Sequence, residues 1–177
     1  MIEAAASAAD WGQPSREDGG KGIGFARYKN EKAYIAVVAD VSVDPDSGVI
    51  HLDRMTIAGD VGQVVNPDGA KSQLEGGVIQ AARWTLKEEV TFSANRITSV
   101  DWETYPILRF DEVPEVETIL IDRPGLPSLG CGEATQGPTP AAIANAVYAA
   151  SRIRLRQIPF KPERVREALK EGMSTTI

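Results

Sequence analysis

The sequence has one cysteine, Cys131, and one histidine, His51, among 177 residues. An intrachain disulfide is therefore excluded, and so is a zinc site assembled from several Cys and His ligands. No metal ligand is assigned. No uninterrupted apolar run approaches the roughly 20 residues needed to span a bilayer. The opening residues, Met1 to Ala9, lack the basic start and apolar core of a signal peptide, so a cytoplasmic protein is expected. Basic side chains are in the minority, 19 against 25 acidic, for a formal charge of −6. Neither nucleic acid nor an anionic membrane is expected as a partner, because both require a concentrated positive face. What is there, 42% hydrophobic and 25% charged residues, is the composition of an ordinary globular chain.

Alanine-rich Met1–Trp11 reads as a short helix, and glycine-rich Gly12–Gly24 as a surface loop. A short strand is expected over Gly22–Asn30. The clearest strand is Ala33–Val43, where Ile35, Val37, Ala39, Val41 and Val43 alternate on one face. Asp44-Pro-Asp-Ser-Gly48 supplies turn chemistry, and Val49–Ile57 returns as the second arm of a hairpin. Asn66-Pro67 has the form of a helix start, with the helix running to about Leu86 and burying Leu74, Val78, Ala81 and Ala82. Val90–Phe92 and Ile97–Trp102 are read as short strands, Val116–Ile121 as another. Thr139-Pro140 opens a helix with Ile143, Ala144 and Val147 on one face, and a last helix, Pro162 to about Glu171, is stopped by Gly172. The expected fold class is α+β: a mixed or antiparallel sheet with β-hairpins packed against two or three helices.

Several familiar motifs fail on inspection. Asp44-x-Asp46-x-Gly48 resembles the start of a calcium loop, but its twelfth position is Met55 rather than glutamate. Gly69-Ala-Lys-Ser72 has an alanine between glycine and lysine, and Gly130-x-Gly132 places its third glycine at Gly137, two positions late for a dinucleotide fingerprint. His51 lies mid-strand, where a structural or exposed role is expected rather than catalysis.

Two segments carry chemistry. In Gln73-Leu-Glu-Gly-Gly77, two successive glycines interrupt a helix at about 1 kcal/mol each relative to alanine. Gln73, Gly77, Gln80 and Trp84 share one helical face. That face could hydrogen-bond a flat polar ligand, or the glycines could serve close packing. In Ser128–Pro140, a single acid, Glu133, sits among glycines just before a helix, where successive backbone N–H groups can bind an anion. A carboxylate partly desolvated in such a loop is fit for general-base work; a solvated glutamate is the alternative.

These segments, in this order, resemble the closing part of the molybdopterin-binding subunit of the xanthine dehydrogenase and aldehyde oxidase family, from about Gly22 to Val165. The resemblance is carried by Asp60-Val-Gly-Gln-Val-Val-Asn-Pro67, Gln73-Leu-Glu-Gly-Gly77, Tyr105-Pro-Ile-Leu-Arg109 with Glu112-Val-Pro-Glu-Val-Glu117, and the run from Gly130 to Asn145. The wording is most similar to the isoquinoline 1-oxidoreductase and nicotinate dehydrogenase branch. The resemblance implies a molybdenum hydroxylase that oxidises an N-heterocycle or an aldehyde with water-derived oxygen and passes electrons to iron–sulfur clusters. Glu133 matches the family's catalytic base, and Gln73 the glutamine that hydrogen-bonds the pterin. Gly76, Gly77, Cys131 and Gly132 would lie along the cofactor, expected as molybdopterin cytosine dinucleotide.

A complete molybdenum subunit of this family is several times longer. The chain is therefore expected to be either a C-terminal piece or a small subunit of a split gene, inactive and without molybdenum when alone. Residues 1–21 would form an N-terminal helix and loop, and 22–177 the C-terminal portion of a molybdopterin-binding domain. Its partners would be the remainder of that subunit and an iron–sulfur subunit, with a homodimer left open. The alternatives are a non-catalytic interaction module that docks onto the missing domains, and an independent small-molecule binding protein.

Overall fold

The computed structural model describes residues 1–13 and 16–174. The sheet has four strands in the order β1 (Gly19–Arg27), β2 (Tyr34–Val43), β3 (Ile50–Asp60) and β4 (Glu115–Ile121). The first three pair antiparallel as two successive hairpins, and β4 joins β3 in parallel, so the sheet is mixed. Among the described residues, four α-helices accompany the sheet: α1 (Ile2–Ala8), α2 (Pro67–Leu86), α3 (Pro138–Ser151) and α4 (Pro162–Ser174). The α+β expectation holds.

The alternation read in β2 sorts its side chains into two layers. Ile35, Val37, Ala39 and Val41 enter the main core with Leu74 and Val78 of α2, Ile143 and Val147 of α3, and Val165 and Leu169 of α4. Ala36 and Val38 face the other way and are covered by Ala5 and Ala9, from and just beyond α1. The strand is buried on both faces, as a central strand should be. A bulge at Asp40/Val41 shifts the register with β3, so Leu52 and Met55, three apart, are both buried.

Four expectations need correction. The loop over Gly12–Gly24 is in part strand, because β1 begins at Gly19 and ends at Arg27; positions 14 and 15 of that loop lie outside the described residues. The reason is α3. A Cβ on Gly20, Gly22 or Gly24 would run into the backbone of this helix, so alternate glycines make β1 flat enough for α3 to lie on it. Helix α1 ends at Ala8 rather than Trp11. Val90–Phe92 and Ile97–Trp102 do not form strands; a single bridge pairs Phe92 with Ile97, and the segment is otherwise irregular. Gly172 does not stop α4, which runs on to Ser174. A Cβ at Gly172 would sit 3.2 Å from Ile153 Cγ2, so the glycine fits α4 against its neighbour.

Candidate functional site

Strands β1, β3 and β4 all finish at one end of the sheet, since β1 and β3 both run antiparallel to β2 and β4 parallels β3. Helices α2 and α3 start at that end. Asn66 caps α2 by accepting a hydrogen bond from the N–H of Gly69 at 3.0 Å, with Pro67 in the first turn. The positive ends of two helix dipoles thus open beside the strand termini, where negative charge on a ligand is favoured.

The two chemistry-bearing segments meet here. The Leu129 N–H donates to the Val61 carbonyl at 2.8 Å, which ties the 128–137 loop to the end of β3. Buried Thr135 donates its hydroxyl to the Leu74 carbonyl of α2 at 3.1 Å. Its Oγ1 occupies the space that a side chain at Gly77 would need. One turn on, Gln136 Nε2 donates to Gln80 Oε1 at 2.9 Å. Gln73 lies beside the loop, with its Oε1 3.1 Å from where a Cβ on Gly132 would be. Three of the four residues on the face read from helical spacing, Gln73, Gly77 and Gln80, therefore meet the loop.

The paired glycines divide between the two explanations left open above. Gly77 is buried and serves packing against Thr135. Gly76 is exposed, with nothing within 4 Å of an added Cβ. Cys131 is half-buried, and burial pushes its thiol above the ordinary range. Together with Gln73, Asn66, Gln63 and Val61 it lines a hollow of about 370 Å³. Gly132 is exposed beside Gln73.

Glu133 is also exposed, and its Oε2 accepts a hydrogen bond from the Tyr28 hydroxyl at the end of β1. The partial desolvation expected of a general base in this loop is not supplied by the described residues. Sequence reading missed Tyr28, since 105 positions separate it from its partner. The only local sign was its place beside the turn that leads into β2.

A larger hollow of about 710 Å³ lies at the opposite ends of β3 and α2, beside Leu52, Leu86 and Phe160. Four charged residues of its rim are paired with one another, Arg16 with Asp53 and Lys87 with Glu112.

The residues at that end suit a flat, anionic, hydrogen-bonding group. Among the described residues, no acceptor is paired with the backbone N–H of Gly130, Gly132 or Glu133, and the Gln73 carboxamide has no hydrogen-bond partner. Small residues keep the approach open at Gly76 and Gly130. The sequence profile of the molybdopterin cofactor-binding domain matches residues 3–114. The chain belongs to this family.

Relatives extend the similarity over the rest of the chain. One subunit of nicotinate dehydrogenase from Pseudomonas putida is 39% identical over 185 residues, an alignment that covers 96% of this chain and 16% of that protein. The beta subunit of isoquinoline 1-oxidoreductase from Brevundimonas diminuta is 30% identical over 169 residues, covering 92% and 21%. The crystal structure of quinoline 2-oxidoreductase from Pseudomonas putida 86 superposes with a TM-score of 0.73 at 26% identity, over 78% of this chain and 19% of that one. A molybdopterin cofactor-binding domain is thus present, and the chain spans about a fifth or less of the length of these relatives. No described helix is long and apolar enough to cross a membrane.

Proposed function

We propose that this chain forms the base-bearing part of a molybdenum hydroxylase acting on an N-heterocycle or an aldehyde. When bound, the molybdenum–pterin group supplies the oxygen-transfer and two-electron chemistry. Gln73 offers its carboxamide, and the 130–133 loop its free N–H groups, to the pterin and its phosphates, expected in the cytosine dinucleotide form. Gly76 and Gly132 leave room for close approach, Gly77 seats the loop through Thr135, and Cys131 closes the floor of the hollow. Glu133 acts as general base through Oε1, the oxygen that Tyr28 leaves free. The rest of the molybdenum subunit would desolvate this carboxylate, and an iron–sulfur partner would take the electrons.

The observation that carries this reading is the direct contact between two segments some sixty residues apart, which brings Gln73 and Glu133 to the same end of the sheet. In the complete enzyme, Glu133→Gln is expected to lower turnover by about 100-fold or more while molybdenum content stays at the wild-type level. Near-normal turnover would overturn the assignment of the base. The isolated chain is expected to bind no stoichiometric molybdenum and to show no hydroxylase activity; metal analysis of the purified chain decides this.

A second reading, docking without chemistry, draws on a different observation. Phe92, Val100, Trp102 and Phe110 on the irregular 90–110 segment are each more than 70% exposed. On that reading Glu133→Gln leaves turnover unchanged, and substitutions at Trp102 and Phe110 block assembly.

A further inference from the structure

The segment that joins β1 to β2 is built tightly around one residue. Tyr28 donates its N–H to the Ala33 carbonyl at 2.8 Å, and its own carbonyl accepts from Lys32 N–H at 2.9 Å and Glu31 N–H at 3.3 Å. Both polar groups of the Tyr28 backbone are therefore fixed. The reversal requires Lys29 and Asn30 at φ values of 49° and 58°. Asparagine adopts the left-handed region readily, but a lysine there is unfavourable and persists only where the surroundings over-determine it. The Tyr28 ring packs against the main core, and the Lys29 ammonium stands 5.2 Å from the ring centroid. Backbone, ring and neighbouring cation all restrain the phenol, and its hydroxyl is aimed at Glu133 Oε2.

Glu133 has no such restraint of its own. It is exposed on a loop of small residues, and among the described residues the Tyr28 hydroxyl is its only side-chain hydrogen-bond partner. A glutamate in that setting samples several rotamers. A rigid donor on one oxygen selects among them and determines which oxygen remains available.

We infer that Tyr28 is the positioning residue of Glu133: it holds Oε2 and so presents Oε1 to the proton that the reaction must remove. This rests on the reading of Glu133 as the base. The inference accounts for why a strained turn of non-glycine residues closes β1 at the site end of the sheet. It also gives β1, which the sequence motifs do not include, a part in the site.

Two measurements test it. In the complete enzyme, Tyr28→Phe keeps the ring and removes only the hydroxyl; kcat is expected to fall about 10-fold or more, with KM and molybdenum content within twofold of wild type. In the isolated chain, carbon-13 NMR of labelled glutamate reads the contact without any cofactor. The Glu133 side-chain signals are expected to move and to show rotamer averaging in Tyr28→Phe, while the other glutamates and the melting temperature stay unchanged. If Tyr28→Phe does not fold, the Tyr28 ring signals in Glu133→Gln report the same contact from the other side. Unchanged Glu133 signals, or unchanged Tyr28 signals in the reciprocal variant, overturn the contact. Unchanged kcat in Tyr28→Phe, when Glu133→Gln is inactive, overturns the positioning role and leaves the base assignment standing. Full activity of Glu133→Gln overturns the base assignment and the positioning role with it.

Discussion

Gly22→Ala adds one methyl group, and the structure makes it one of the most damaging small changes available. The new Cβ would fall inside the van der Waals envelopes of the Ala146 nitrogen and the Ala142 oxygen, and 2.6 Å from the Asn145 carbonyl carbon. All three are backbone atoms of α3, so no change of rotamer relieves the clash. Carbon atoms prefer separations of about 3.5–4.0 Å, so the helix must lift by about 1 Å. Lifting it opens a gap over Ile143, Ala146 and Val147, all fully buried, and a gap of that width forfeits roughly a quarter to a half of each contact. Overpacking of a core ordinarily costs about 1–3 kcal/mol, and a clash against rigid backbone belongs at or above the top of that range. At about 2–4 °C per kcal/mol for a chain of this size, the melting temperature should fall by roughly 6–12 °C. Urea and thermal unfolding of the purified chain measure this directly. Ala146→Gly should give no rescue, since the clash is with backbone. A loss below about 1 kcal/mol, with α3 still helical, would show that β1 and α3 do not approach as described.

The remaining predictions concern the glycine pair of α2 and the acidic limb of the stability curve. Gly76→Ala should stabilise the isolated chain by about 1 kcal/mol, because the added methyl meets open space and alanine is the better helix former. The same variant should load less cofactor in the complete enzyme, measured as molybdenum per protein; a variant that is both more stable and fully loaded would remove Gly76 from the site. Glu89 accepts hydrogen bonds from Lys161 and Arg164, which hold its carboxyl below the ordinary value of 4.5. A carboxyl depressed in the folded state contributes stability above its unfolded pKa, and that contribution is lost as pH falls through the folded value. Glu89→Gln should therefore be less stable than wild type at neutral pH, with the difference shrinking below about pH 4.5. A constant difference across that range in pH-dependent unfolding would exclude this pairing.

Much of the fold was legible because its signals are local. The Asp44 carboxylate accepts from the N–H groups of Asp46 and Ser47 at 2.9 and 3.1 Å, so the hairpin turn is written in five adjacent residues. The start of α2 at Asn66-Pro67 is local in the same way. The glycines of β1 were misread because a glycine shows no difference in sequence between a loop and a strand on which a helix lies. Their reason is a helix more than a hundred residues later. The segment at 90–102 misled in the opposite sense: Val90, Phe92, Ile97 and Val100 have strand-forming side chains, but all are exposed, with only one bridge between them. Strand propensity expresses itself on a half-buried surface, and the described residues provide none there. Glu133 and Gln73 were legible as members of motifs, whereas Tyr28 depends on a tertiary contact that no spacing encodes.

The end of the sheet where these residues gather has a property that none of its parts has alone. Thr135 gives Gly77 a packing reason, but Gly76 still costs α2 about 1 kcal/mol relative to alanine, and a Cβ there would meet nothing within 4 Å. A glutamine without a partner, three N–H groups without acceptors, and an exposed acid held by a strained turn are each ordinary on a protein surface. Here they lie at one end of the sheet, beside the starts of α2 and α3, and among the described residues neither the Gln73 carboxamide nor the open side of Gly76 meets a partner. Stability alone would favour alanine in place of Gly76, a glycine in the β1–β2 turn, and an acid free to rotate. The arrangement is consistent instead with groups kept in place for something that is bound, which is why Gly76→Ala separates the two accounts: the same methyl should help the fold and hinder the site.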